Sequence, residues 1–290
     1  HYAYLAGAVP IEVPVHRDDN FMPSARSLEP LLRDARLLCL NTPLNPSGTM
    51  LEPDQAEEIG RLVVEENARR RRTGERLLFL MYDQVYWMLT FGGRRHVTPL
   101  DRVPEAAPYV IFVDGISKCF AATGLRVGWA VAPPYVTSRM RDYLGHVGAW
   151  APRPEQVATA GILDNPEAIQ RYLERTRAGL QARLDDLYQG IQGFQAEGLP
   201  VDAISPQGAI YLSVRFGLIG RTMRGETCRT NEQIRRYLLE EAGIAMVPFQ
   251  AFGLKEESGW FRLSVGAVSR EDIREGLSRL KRALQAVVAG

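Results

Sequence analysis

Only three of the 35 basic residues are lysines: Lys118, Lys255 and Lys281. Arginine stays charged, whereas a lysine amine can shed its proton and act as a nucleophile. Lys118 follows the apolar run 109–113 in Gly115-Ile116-Ser117-Lys118, and Gly124-Leu125-Arg126-Val127-Gly128 comes after it. At the end of a buried strand and among small residues, its amine has room for a bulky partner, and desolvation favours the neutral form. A lysine reaching out of a loop into water fits the same pattern. Arg126, flanked by apolar and glycine residues, offers a bidentate fork suited to a phosphate.

Three other segments carry chemistry. Asp83-Gln84-Val85-Tyr86 ends the apolar run 77–82. An aspartate there can pair with a cationic ring nitrogen and a tyrosine can offer its hydroxyl; a capping Asp above a packed Tyr is, for these residues alone, the commoner arrangement. Asn41-Thr42-Pro43-Leu44-Asn45-Pro46-Ser47-Gly48 ends the run 37–40. Its prolines forbid a helix and fix the Asn45 amide, either as a ligand donor or as part of an ordinary turn. Arg262 stands inside the strand-like Phe261-Arg262-Leu263-Ser264. Facing water it needs no partner; facing inward it needs an anion, and a carboxylate fits the guanidinium fork.

The elements that must hold these groups follow from periodicity. Unbroken apolar runs at 37–40, 77–82, 109–113 and 127–132 predict strands buried on both faces. A helix over 53–70 separates the first two, so an α/β domain with a largely parallel sheet is expected. In such sheets ligands bind beyond the carboxyl ends of strands, where Asn45, Asp83 and Lys118 all fall. Residues 6–15 also read as strand-like. A long amphipathic helix over 166–192 suits a connector, and a domain boundary is placed inside it, near 180. Beyond it the pattern turns α+β: strands at 208–214, 244–247 and 260–265, helices at 231–242 and 269–288. Ser269 and Asp272 are spaced as a capping box for the last helix.

Composition bounds the class. The 290 residues are 46% hydrophobic and 24% charged, with a formal net charge of +1. These values exclude wholesale disorder and give no global attraction to nucleic acid or to a membrane surface. No apolar run reaches the ~18–20 residues of a membrane span, and no secretory signal pattern is seen. Cys39, Cys119 and Cys228 show no CxxC spacing, which argues against a disulfide or zinc scaffold and fits a reducing cytoplasm. His1, His16, His96 and His146 are scattered without metal-ligand spacing, so no metal is expected. The absence of G-x-G-x-x-G after a strand discounts a Rossmann dehydrogenase.

Taken together, the four segments resemble the class I/II, fold-type-I aminotransferases that depend on pyridoxal 5'-phosphate. The stretch from Gly115 to Gly128 is similar to that family's lysine signature, Asn41–Gly48 to its asparagine-proline turn, and Asp83-x-x-Tyr86 and Phe261–Ser264 to its other two motifs. The resemblance implies a mixed, mostly parallel sheet with helices on both faces (1–180) and a C-terminal α+β small domain (181–290). It implies that Lys118 forms a Schiff base with the cofactor and moves the substrate proton, and that Asp83 pairs with the pyridinium nitrogen. It assigns Tyr86 and Asn45 to the ring oxygen, Ser117 and Arg126 to the phosphate, and Arg262, with Asn45 beside it, to the substrate carboxylate.

An amino acid and a 2-oxo acid are then the substrates, and a homodimer is expected, with no nucleic-acid or membrane partner. Another reaction on the same cofactor, by a C–S lyase, decarboxylase or acyl-transferring synthase, shares these motifs. Three departures stand out. Gly115 replaces a serine common in the family, and Phe249 replaces a glycine in Pro248-Phe249-Gln250-Ala251-Phe252-Gly253, with an expected effect on the substrate side. The family's N-terminal stretch has no counterpart before His1, so a fragment, inactive in the extreme, is also expected. Trp87, Trp150, Arg153 and Tyr211 join Phe249 as candidates for the substrate side.

Overall fold

Four short runs rich in Leu, Val, Phe and Tyr pair into one sheet: Leu37–Asn41 (β1), Phe79–Asp83 (β2), Val110–Gly115 (β3) and Gly128–Val131 (β4), in spatial order β1-β2-β3-β4. The first two pairings are parallel and the last is antiparallel. The register aligns Asn41 with Asp83 and Asp83 with Val113, so β1 and β2 end level and β3 runs two residues further. This is the mixed, mostly parallel sheet of an α/β fold.

The computed structural model describes residues 2–289, and the chain divides into two units. The first unit holds residues up to Pro43, Thr49–Met88 and Arg95–Leu173; the second holds Leu44–Gly48, Leu89–Arg94 and the chain from Glu174. The division falls between Leu173 and Glu174, inside the helix Pro166–Ala196. The Asn45 turn therefore belongs with the C-terminal half, which no local pattern announces.

In the first unit, the helix Pro53–Thr73 packs Ile59 and Val63 inward and pins the starts of two strands. Its Asn67 donates to Leu78 O at 2.9 Å and accepts from Leu78 N at 2.8 Å, directly before β2. Its fully buried Arg70 donates to Leu32 O at 2.6 Å and Ala35 O at 2.8 Å, just ahead of β1, and to Glu66 at 2.6 Å. A buried guanidinium is tolerable only when its donors are met in this way.

The other sheet face is covered in part. The helix Pro134–Val147 sets Tyr135 edge-on to Phe79, with ring centroids 5.8 Å apart. Burial in β1 nonetheless alternates, leaving Leu37 and Cys39 exposed, so the expectation of strands buried on both faces fails at this edge. Residues 8–16 form no strand either: Pro10 and Pro14 interrupt the run, and a proline has no N–H to give a ladder. Helices Pro134–Val147 and Arg153–Leu163 went unread, although Val136, Met140, Tyr143, Leu144 and Val147 recur at helical spacing along the first of them.

The second unit carries an antiparallel sheet. Val201–Ala203 (β5) pairs with Tyr211–Phe216 (β6), a small hairpin of Thr222–Met223 (β7) and Glu226–Thr227 (β8) follows, and Val247–Pro248 (β9) and Trp260–Ser264 (β10) complete the order β5-β6-β10-β9. Helices Asn231–Ala242 and Arg270–Ala289 pack together, tied by Tyr237 OH to Ala283 O at 2.9 Å. Ser269 and Asp272 form the capping box read from sequence, with Ser269 N donating to Asp272 at 2.8 Å. Among the described residues no helix is long and apolar enough to cross a membrane.

Candidate active site

Asp83 closes β2 half-buried, and its Oδ1 accepts from Val85 N at 3.1 Å. Thr42 N and Asn41 Nδ2 both donate to Asp83 O at 3.0 Å, so the aspartate's backbone is fixed by the neighbouring strand end. Burial pushes the Asp83 carboxyl above its ordinary range, and the Val85 amide opposes this. Among the described residues no basic side chain bonds to it. Tyr86 is buried three residues on.

Asp114, the last residue but one of β3, lies near enough to this carboxylate to feel its charge. It accepts from Gly115 N at 2.6 Å and from Trp87 Nε1 at 2.8 Å, and it too is raised, by burial first and then by the charge of Asp83. Sequence reasoning missed Asp114; the available signal was an aspartate breaking an apolar run next to Gly115. Trp87, named for the substrate side, has its indole anchored on this second carboxylate.

Lys118 lies on the single helical turn Ile116–Cys119 that follows β3. Cys119 on that turn is buried and donates through Sγ to Val85 O at 3.1 Å, holding the lysine's turn against the Asp83–Tyr86 segment. Burial lifts the Cys119 thiol to about 12, so it serves as packing. Ser117 O accepts from Thr123 Oγ1 at 3.1 Å, and Arg126, exposed and in the left-handed region at φ 58°, donates to Thr123 O at 2.8 Å. The loop from Ser117 to Arg126 is thus closed through Thr123.

The glycine at 115 has a steric cause. A Cβ there would lie 2.8 Å from Val127 O and 3.0 Å from Gly128 Cα, because β3 and β4 approach closely at this pair. A serine would have to push the strands apart, which accounts for this departure from the family pattern.

The remaining site residues lie in the second unit. Arg262 sits mid-strand in β10, opposite Ser213 of β6 and Val247 of β9. Its Nη1 donates to Asn45 Oδ1 at 2.9 Å, and its guanidinium lies over the rings of Tyr211 at 4.6 Å and Phe252 at 5.0 Å. Its Nε is buried without a hydrogen-bond partner. Arg262 is therefore inward-facing and held, and the solvent-face alternative drops out. Gly48, at φ 72°, lets the Asn45 turn meet β6: a Cβ would lie 2.4 Å from Tyr211 O. Ser213 Oγ donates to Ser47 O at 2.8 Å.

Trp150 and Arg153 are exposed at the start of the helix Arg153–Leu163. Phe249 is buried against Trp260 instead of lining an open surface. His1 lies outside the described residues. Within each unit the groups suit a ligand with a cationic nitrogen, an electrophilic carbon and anionic ends: a carboxylate, an amine and guanidinium forks.

The family described as aminotransferase class I and II matches residues 1–280. The chain is 31% identical over 288 residues to an aspartate aminotransferase of Streptomyces avermitilis, covering 97% of this chain and 64% of that protein. It is 29% identical over 290 residues to aromatic-amino-acid aminotransferase 2 of Thermococcus litoralis, covering 97% and 66%. Among solved structures, the Thermus thermophilus aspartate aminotransferase with maleate superposes with a TM-score of 0.82 at 29% identity, over 97% of this chain and 65% of that one. The chain thus spans just under two thirds of the length of these relatives.

Proposed function

The chain belongs to the class I and II aminotransferases, and from that premise we propose that it moves an amino group between an amino acid and a 2-oxo acid with pyridoxal 5'-phosphate as cofactor. The observation that carries this reading is Asp83, a half-buried carboxylate with no basic partner among the described residues, beside the turn that bears Lys118. A buried charge needs a counter-charge, and a protonated ring nitrogen supplies one. The residues fit the cofactor: a carboxylate without a basic partner among the described residues for the ring nitrogen, a primary amine for the aldehyde, and hydroxyl and guanidinium donors for the phosphate. When bound, the cofactor supplies an electron sink for the substrate carbon.

The chain's own residues do the rest. Asp83 accepts the ring N–H and keeps it protonated; the cation in turn favours the ionised carboxylate and offsets the burial. The Lys118 amine would hold the cofactor through its aldehyde and would serve as the group that moves the proton at the substrate carbon. The Tyr86 hydroxyl and the Asn45 amide donate to the ring oxygen. Ser117 and Arg126 bind the phosphate. Arg262, with Asn45 fixed on its Nη1, binds the substrate carboxylate. A homodimer is part of the same proposal.

Borohydride reduction of the pyridoxal phosphate-treated chain, followed by peptide mass spectrometry, tests it. Label confined to the peptide containing Lys118, and lost in Lys118→Ala, is expected; no label, or equal label on Lys255 and Lys281, overturns the assignment. Nitrogen transfer that depends on a 2-oxo acid separates transamination from release of ammonia or carbon dioxide.

A further inference from the structure

Phe249 stands where the family pattern has glycine, and its surroundings give it a role. Along β10 the side chains of Trp260 and Arg262 share one face, since strand side chains alternate with period two. Phe249 and Phe252 open and close one 3-10 turn, three residues apart, and so project from the same side of it. The two spacings match. Phe249 stacks on Trp260, centroids 6.3 Å apart and planes 29° from parallel, while Phe252 lies over the Arg262 guanidinium at 5.0 Å. Phe249 meets Phe252 edge to face at 6.5 Å. Tyr211, diagonal to Arg262 across the β6–β10 ladder, provides the second ring at 4.6 Å.

We propose that Phe252, seated by Phe249 on Trp260, is a positioning residue that sets the Arg262 guanidinium for the substrate carboxylate. This rests on the reading of Arg262 as the carboxylate anchor. An arginine has four rotatable side-chain bonds, and Asn45 restrains only Nη1. Two ring faces fix the plane of the fork, and a preformed fork loses less freedom on binding. Phe249 is 4% exposed and Phe252 39%: the first is the footing and the second the part that touches the cation. A glycine at 249 would leave Phe252 without its edge contact, so the departure from the family pattern is a second hold on Arg262.

The test uses the chain loaded with pyridoxal phosphate and two acids with no reactive amine or ketone, succinate and 3-phenylpropionate, titrated calorimetrically. A ring face on a cation contributes about 0.5–2 kcal/mol, so Phe252→Leu should weaken both acids by about tenfold and Phe249→Leu by about threefold. Phe252→Tyr should restore binding, and cofactor affinity should stay within about twofold. The Arg262 Nε–H resonance, identified by its loss in Arg262→Lys, should move in Phe249→Leu, which keeps the Phe252 ring on the guanidinium but removes its footing; an unmoved resonance there overturns the seating of Phe252 by Phe249. Phe252 is exposed enough for its variants to fold if the Phe249 variant does not. Unchanged acid affinity in Phe252→Leu with wild-type binding intact overturns the positioning role alone. A wild-type chain that takes the cofactor but neither acid overturns the carboxylate anchor and this role together.

Discussion

In the first unit the reactive groups come after strands have ended; in the second, the binding group sits in the middle of one. Asp83, Lys118 and Arg126 are placed by ladder register and by backbone bonds such as Thr42 N and Asn41 Nδ2 to Asp83 O at 3.0 Å. The ends of their side chains meet few protein partners. Arg262 is the reverse case: flanked by strands on both sides, held by an amide and set over two rings. A strand end can present an amine or carboxylate to a ligand that completes it, whereas a fork that reads a carboxylate gains from being locked beforehand. Each unit therefore carries a charge that no opposite charge meets among the described residues, but the first leaves its carboxylate open while the second holds its guanidinium between an amide and two rings.

The largest expected effect breaks that contrast at Asp83. Asp83→Asn keeps the acceptor for Val85 N and removes the charge. Transamination should fall on the order of 100-fold, the usual scale for losing one preorganised electrostatic partner. Stability should move the other way. Burial raises the Asp83 pKa, so in the cofactor-free chain the fold is penalised once the carboxylate ionises. The penalty is absent below the ordinary Asp range and grows as pH rises through the raised value. The cofactor-free variant should thus melt with the parent near pH 3 and above it at pH 7. A parent that melts higher at pH 7 would mean that a cation of the protein already pairs with Asp83.

Two glycines give a smaller and graded effect. Gly48 combines φ 72° with a Cβ position 2.4 Å from Tyr211 O, backbone against backbone. Gly115 has an extended φ of 176° and a milder approach, 2.8 Å to Val127 O. Gly48→Ala adds left-handed strain to a clash and should cost about 2–4 kcal/mol; Gly115→Ala meets the clash alone, at about 1–3 kcal/mol. Denaturant midpoints order the two. Their functional effects should separate as well: Gly48→Ala should weaken succinate binding, and Gly115→Ala should weaken the cofactor. The reverse order of stability would show that β3 and β4 are the less yielding pair.

How much of this was legible follows the same division. The strand-end groups were readable because register and motif are local: an apolar run, then Asp83 or Ser117-Lys118. The setting of Arg262 was not. It depends on contacts such as Ser213 to Ser47, 166 positions apart, and on the match between Phe249-x-x-Phe252 and Trp260-x-Arg262. The transfer of the Asn45 turn to the second unit has the same cause, since Gln207 N and Gly208 N both donate to Gly48 O. At the sheet edge, apolar composition overstated burial: Leu37 is 46% exposed although its run reads as core. At residues 6–15 the two prolines should have outweighed the apolar pattern.

The smallest expected effect concerns a buried imidazole of the first unit. All four histidines precede the second unit's main span, so a histidine titration reports on the first unit. His96 packs its ring 5.8 Å from that of Tyr82 and 6.4 Å from that of Trp87, and Nε2 lies 3.3 Å from Gln84 Oε1, next to Asp83. Its Nδ1 is buried without a partner, so the cation would have one donor unmet. Burial lowers the His96 pKa to about 4, and the charge of Asp101 opposes the shift only in part. With a depressed pKa the neutral ring stabilises the fold above the ordinary value of 6.5, and that contribution is lost as pH falls from 6.5 through about 4. The His96 ring-carbon proton resonance should therefore stay flat from pH 8 to pH 5 and move with a midpoint near 4. A His96 midpoint near 6.5 would show instead that both ring nitrogens find partners as donors and that the surroundings of the ring do not disfavour the cation.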